Sequence, residues 1–167
     1  MRRYAFIWIL VLALMAPLSV WAAGSCTQSC VPVGQQTQYK CTFLCTGDVS
    51  SGSIPNTALT DANMALVQGM YLYTVSAYPT SGGVAPDAAD VFVLDAKGED
   101  LLGSADGGTT ANKGANLIHA TLKKTTFPYS YYLSQAYFPL VVNALTLKVA
   151  NQATASATYT IELVFAR

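Results

Sequence analysis

The chain has 167 residues, 52% of them hydrophobic, with nine Lys and Arg against nine Asp and Glu. That apolar content is too high for a disordered chain, and the balanced charge gives no footprint for nucleic acid. The length fits one domain with a real core after any leader is removed.

The first 22 residues have the order of an export signal: Arg2 and Arg3, an apolar run over residues 5–16, then Pro17 and small residues. The apolar run is shorter than the roughly 20 residues needed to span a bilayer, so it predicts a cleaved signal and no transmembrane anchor. Cleavage fits best after Ala22, with Gly24 as the alternative site; a lipoprotein reading, in which Ala23, Gly24 and Ser25 precede a modified Cys26, competes with both. It leaves three thiols, an awkward number for an exported protein. Residues 23–167 then form one secreted or periplasmic domain carrying seven basic and nine acidic residues.

Four cysteines follow at once. Pairing Cys26 with Cys45 and Cys30 with Cys41 gives equal index sums, the mark of an antiparallel register. In residues 38–46, Tyr39, Cys41, Phe43 and Cys45 share one face of a strand, and the turn falls near residues 32–36. A helical hairpin fits the CxxxC spacing as well, but Val31, Pro32, Val33 and Gly34 are poor helix. Zinc held by four thiolates fits less well in an oxidising compartment. Two bridges are expected, each contributing about 3 kcal/mol at most and the inner one less.

Residues 46–55 read as a loop, and residues 60–67 as a short helix or ordered turn capped by Thr60 or Asp61. Residues 70–78 form the clearest central strand, with Tyr71, Tyr73, Val75 and Ala77 on one face and Met70, Leu72, Thr74 and Ser76 on the other. Residues 79–86 break it. The apolar run 91–94 reaches the turn at Asp95, Ala96, Lys97 and Gly98, and another strand is expected over residues 116–122. The last two strands alternate most regularly, through Leu145, Leu147 and Val149 and through Tyr159, Ile161, Leu163 and Phe165, with residues 151–156 read as their hairpin loop. The pattern predicts an all-β fold: a single β-sandwich of about seven or eight mostly antiparallel strands with a disulfide-stapled N-terminal hairpin. Tyr73, Val75, Leu147, Ile161 and Leu163 are its expected core.

Gly47, Asp48, Gly52, Ser53, Ile54 and Pro55, then residues 69–73, then Pro86, Asp90, Gly98, Asp100, Leu101 and Leu102, and finally Leu145, Thr146, Leu147 and Asn151 carry a family likeness. Over residues 40–165 the chain resembles small uncharacterised proteins encoded beside structural genes in tailed phages and prophages. The resemblance implies a structural role. The export signal and paired cysteines set this chain apart from those proteins and imply the same fold used in the envelope or outside the cell.

Catalytic residues are expected to be none. His119 is the only histidine and lies in an apolar stretch with no nucleophile motif; Glu99 and Asp100 fall in a turn where solvation explains them. Acids concentrate at residues 87–106, with Lys97 the one base among them, while residues 107–167 are mildly basic. Asp95, the carbonyls near Lys97 and Gly98, and Asp100, with Asp87 or Asp90, offer oxygens to calcium, but Lys97 and the lack of a full loop motif argue against it, so no metal and no cofactor are expected. The segment 127–139 is rich in aromatics, and Tyr129, Tyr131, Tyr132, Tyr137 and Phe138 are the expected partner-binding residues. The expected function is a non-enzymatic structural or adhesion-like module that touches a protein or cell-surface partner or another copy of itself. The alternative is a small-ligand or calcium-assisted carbohydrate-binding module.

Overall fold

The computed structural model describes residues 23–34, 37–103, 115–130, 135–136 and 138–167. The signal expected over residues 1–22 lies outside them. The described chain runs β1 (Ser25–Val33), β2 (Gln38–Thr46), β3 (Thr57–Ala58), α1 (Asp61–Val67), β4 (Tyr71–Pro79), β5 (Ala89–Leu94), β6 (Ala115–Ile118), β7 (Lys124–Thr126), β8 (Tyr129–Ser130), β9 (Gln135–Ala136), β10 (Thr146–Ala150) and β11 (Thr158–Ala166). Two antiparallel sheets, ordered β1-β2-β11-β4-β7 and β3-β10-β5-β6, close over one core, and β8 pairs with β9 apart from them. The fold is all-β, as the alternation predicts, with more strands than seven or eight; the surplus are two- and three-residue ladders too short to show a period.

The stapled hairpin forms as its spacing requires. Cys26 faces Cys45 and Cys30 faces Cys41 in an unbroken register, and both disulfides are present. No described cysteine is free. The Cα atoms of each pair lie 4.0 Å apart, the close approach of residues that do not exchange backbone hydrogen bonds across the ladder.

β11 is the spine of the larger sheet, bonded along its length to β2 on one side and β4 on the other. Tyr159, Ile161, Leu163 and Phe165 all point inward and are buried. Opposite them, the smaller sheet contributes Ala89, Val91, Val93, Leu117 and Leu147, with Leu145 just before β10. α1 is capped by the Thr60 hydroxyl and seals one end with Val67. Among the described residues no helix is long and apolar enough to cross a membrane.

Three expectations are corrected. Tyr73 is 42% exposed and not in the core. The ladder slips between Val164 and Phe165, which face Thr74 and Leu72, so Tyr73 is an extra residue bulged out of β4. The bulge reverses the phase: Leu72 is inward before it, Val75 and Ala77 after it, and Tyr71 stays outward with Tyr73. Residues 151–156 are not a hairpin loop, because β10 and β11 belong to different sheets; the segment crosses the sandwich. The strand expected over residues 116–122 ends at Ile118, where the chain leaves the smaller sheet to reach β7 in the larger one.

Truncating Leu147 or Ile161 to Ala should lower unfolding free energy by about 2–5 kcal/mol in denaturant titration, since each leaves a cavity between the sheets. Tyr73→Ala should cost about 1 kcal/mol, the scale of the aromatic contacts it loses. Equal losses at Ile161 and Tyr73 would contradict the bulged register.

Candidate functional site

The bulge places Tyr73 on the outer face, and two loop aromatics meet it there. Phe138 stacks on the Tyr73 ring, with centroids 5.1 Å apart and planes 26° from parallel. Phe127 meets the same ring edge-on at 5.8 Å and 86°. The 138–141 segment is held beside β4 by backbone bonds: Leu72 N–H donates to the Pro139 carbonyl, Gly69 N–H to Val141, and Val141 N–H to Met70. Tyr71 faces Leu140 across an isolated bridge. Tyr71, Tyr73, Phe127, Phe138 and Leu140 each keep more than a third of their surface in solvent. Clustered apolar exposure of this kind marks a contact surface far more often than isolated exposed side chains do.

Of the residues expected to bind a partner, Phe138 belongs to this cluster. Tyr129 begins β8, opposite Ala136. Tyr131, Tyr132 and Tyr137 lie outside the described residues. Tyr71, Tyr73 and Leu140 were not expected. Their signal was present in the sequence as two tyrosines at alternate positions, but both phases of the 70–78 segment are apolar, so periodicity alone did not say which faces out.

Beside the cluster the same face carries a charged network. Glu162 accepts from Lys40 Nζ at 3.0 Å and from Lys123 Nζ at 2.8 Å, and Tyr78 Oη–H donates to it at 3.3 Å. Lys123 also lies 4.7 Å from the centre of the Tyr78 ring. Partial burial pushes the Glu162 carboxyl upward, but the bonds from Lys123 and Lys40 outweigh it, and the net displacement is downward. Both lysines are well exposed, so each pair adds little to stability.

The other candidate residues have structural work. His119 Nδ1 accepts from the Thr121 and Leu122 amides at 3.2 and 3.3 Å, closing the turn after β6. Asp95 Oδ1 accepts from the Lys97 and Glu99 amides within its own turn. Asp100 Oδ1 accepts from the Val93 and Leu102 amides. Asp87 receives the Ala153 amide and Asp90 the Asn151 side-chain amide, so both acids brace the crossover between β10 and β11. Among the described residues no three His, Cys, Asp or Glu converge as metal ligands. A recess of about 110 Å³ lies between Asp95, Lys97 and Leu101 and the segment of residues 140–145 that leads into β10. Sites that enclose a small ligand are typically about 300–1,000 Å³.

Asp48 anchors the loop behind the hairpin. Its Oδ1 accepts from the Ser50 hydroxyl at 2.6 Å, the Ser50 and Ser51 amides at 2.8 Å, and the Ser51 hydroxyl at 3.1 Å. These donors, the Ser50 hydroxyl first, hold its carboxyl down from 3.8 to about 2. Gly52, at φ +69°, closes the loop, and a Cβ there would collide with the Thr154 carbonyl.

No protein-family model, curated protein or solved structure matches this chain.

Because Asp48 titrates lower in the folded chain than in the unfolded one, its carboxylate stabilises the fold fully above the ordinary value of 3.8, and that contribution disappears as pH falls to about 2. Denaturant midpoints followed from pH 5 downward should therefore fall less steeply for Asp48→Asn than for the parent across this window. Glu162 leaves some slope in both proteins; parallel curves would remove Asp48 from the account.

Proposed function

We propose that this protein is a secreted or periplasmic contact module, without chemistry of its own, that binds a protein at a cell surface through the Tyr73–Phe127–Phe138 cluster. The observation that carries the reading is the bulge in β4, which turns Tyr73 out of the core to join two further exposed rings. Maintaining exposed aromatics has a cost in solubility that a purely structural surface would avoid by polar substitution. Aromatic side chains with charged groups further along the same sheet, here Glu162 with Lys40 and Lys123, fit the composition of a protein-binding patch with a polar rim. The export signal in residues 1–22 and the two disulfides support an oxidising destination.

Carbohydrate binding is the weaker reading for a geometric reason. A sugar ring stacks on an open aromatic face, whereas Tyr73 and Phe138 cover one face of each other and Phe127 meets Tyr73 nearly at right angles. The acids that would hold an assisting calcium ion are already bonded to backbone and side-chain amides.

Fluorescently labelled, oxidised protein should bind cells of the producing organism, and protease treatment of those cells should abolish the binding. Tyr73→Ser combined with Phe138→Ser, with circular dichroism and both disulfides unchanged, should weaken it by roughly tenfold or more, as expected for loss of central aromatic anchors. Undiminished binding by the double variant would move the surface elsewhere; binding that survives protease and is competed by soluble polysaccharide would favour the carbohydrate reading.

A further inference from the structure

The two sheets have four edges, and three are defended by brevity. β3 has two residues, β7 has three and begins with Lys124, and β6 has four. The fourth, β1, is nine residues long, contains no charged side chain and pairs with β2 without a bulge. Long, flat, uncharged edges are what folded proteins ordinarily avoid, because their unpaired backbone groups template another strand.

The register says which groups are offered. Cys26 and Cys30 face their partners at the short separation of non-bonded pairs, so their N–H and C=O groups point away from β2, and Gln28 and Pro32 share that parity. Among the described residues no backbone group is bonded to this outer edge. Proline's missing donor falls where the β1–β2 ladder does not need it. The inward side chain of Gln28 is held by three bonds: its Oε1 accepts from the Thr60 amide and the Asn63 side chain, and its Nε2 donates to the Ala58 carbonyl. The disulfides at Cys26 and Cys30 hold the edge strand on β2.

We propose that β1 is a self-association edge, at which a second copy adds its own β1 antiparallel about a two-fold axis at Ser29. In that register Gln28 of one copy and Cys30 of the other exchange N–H···O bonds. Cys26 donates to the carbonyl of Pro32 in the second copy, which needs no donor from proline. Thr27 lies opposite Val31 of the second copy on the outer face, a favourable β-branched pair. Pairing covers Val31 and Val33, now 49% and 38% exposed. An isologous contact demands that a strand tolerate itself, and the lack of charge in β1 means that no like charges are brought together. The aromatic cluster lies toward the opposite edge of the same sheet, on β4, so the dimer presents two copies of it. Either surface can fail without the other.

The test is sedimentation velocity on the oxidised protein over a wide concentration range, together with amide hydrogen exchange by NMR. A concentration-dependent dimer is expected. The Thr27, Ser29 and Val31 amides, bonded to β2, should be protected at every concentration, and the Cys26, Gln28 and Cys30 amides only where the dimer is populated. Ser29→Lys, which sets two ammonium groups across the axis, should weaken the dimer by roughly tenfold or more, while Ser29→Thr should retain it. Far-UV circular dichroism and a disulfide-intact mass confirm folding of both variants. A parent that stays monomeric at all concentrations, or a dimer in which the even-numbered β1 amides exchange freely, overturns the proposal, the latter by placing the contact on another surface.

Discussion

The architecture hangs on β11. It is bonded to β2 and to β4 along nearly its whole length, so its register fixes theirs, and its four buried side chains form the larger sheet's contribution to the core. The disulfides extend this constraint outward by locking β1 onto β2, which makes the first four strands of the sheet one rigid unit in register. The chain's energetic case for folding is ordinary hydrophobic burial between two sheets. What is particular to it is where that register is allowed to slip.

The slip occurs at one residue. Against an uninterrupted β11, the extra residue Tyr73 in β4 reverses which side chains face inward and leaves two tyrosines on the outer face. Bulges recur where a sheet re-aims a side chain for use. Here the re-aimed ring is the one to which Phe127 and Phe138 dock from segments distant in sequence, and the 138–141 segment is tied by three backbone bonds to Leu72 of β4 and to Gly69 and Met70 just before it. A local irregularity in pairing thus becomes a surface with a defined shape. The ion pairs of Glu162 lie on the same sheet, where Glu162 faces Ser76 of β4.

Much of the fold was legible in the sequence because it is written in strict alternation. Tyr159 through Phe165 has one wholly apolar phase, and the other is polar but for Val164, so its inward face was readable, and the equal index sums of the cysteines gave the hairpin register. The β4 segment was not legible in the same way. Met70 and Leu72 make one phase apolar while Val75 and Ala77 make the other so, and only pairing with β11 decides where the switch falls. The crossover at residues 151–156 was misread for a related reason: two adjacent alternating strands predict a hairpin, and nothing local says that Asp87 and Asp90 will pull the intervening segment across the sandwich. The aromatic stretch 127–139 was visible in the sequence, but the ring that Phe127 and Phe138 meet is contributed by a strand more than fifty positions earlier. Tertiary juxtaposition of that kind has no sequence-local signal.

The most direct measurement of the central claim is site-specific photocrosslinking on living cells. A photoreactive phenylalanine analogue at Phe138, and separately at Leu122, samples two exposed positions on the described surface, only one of which is in the cluster. The account predicts a discrete, protease-sensitive crosslinked species from position 138 and none of that mass from position 122. Crosslinks to the same species from position 122, with none from position 138, would contradict it.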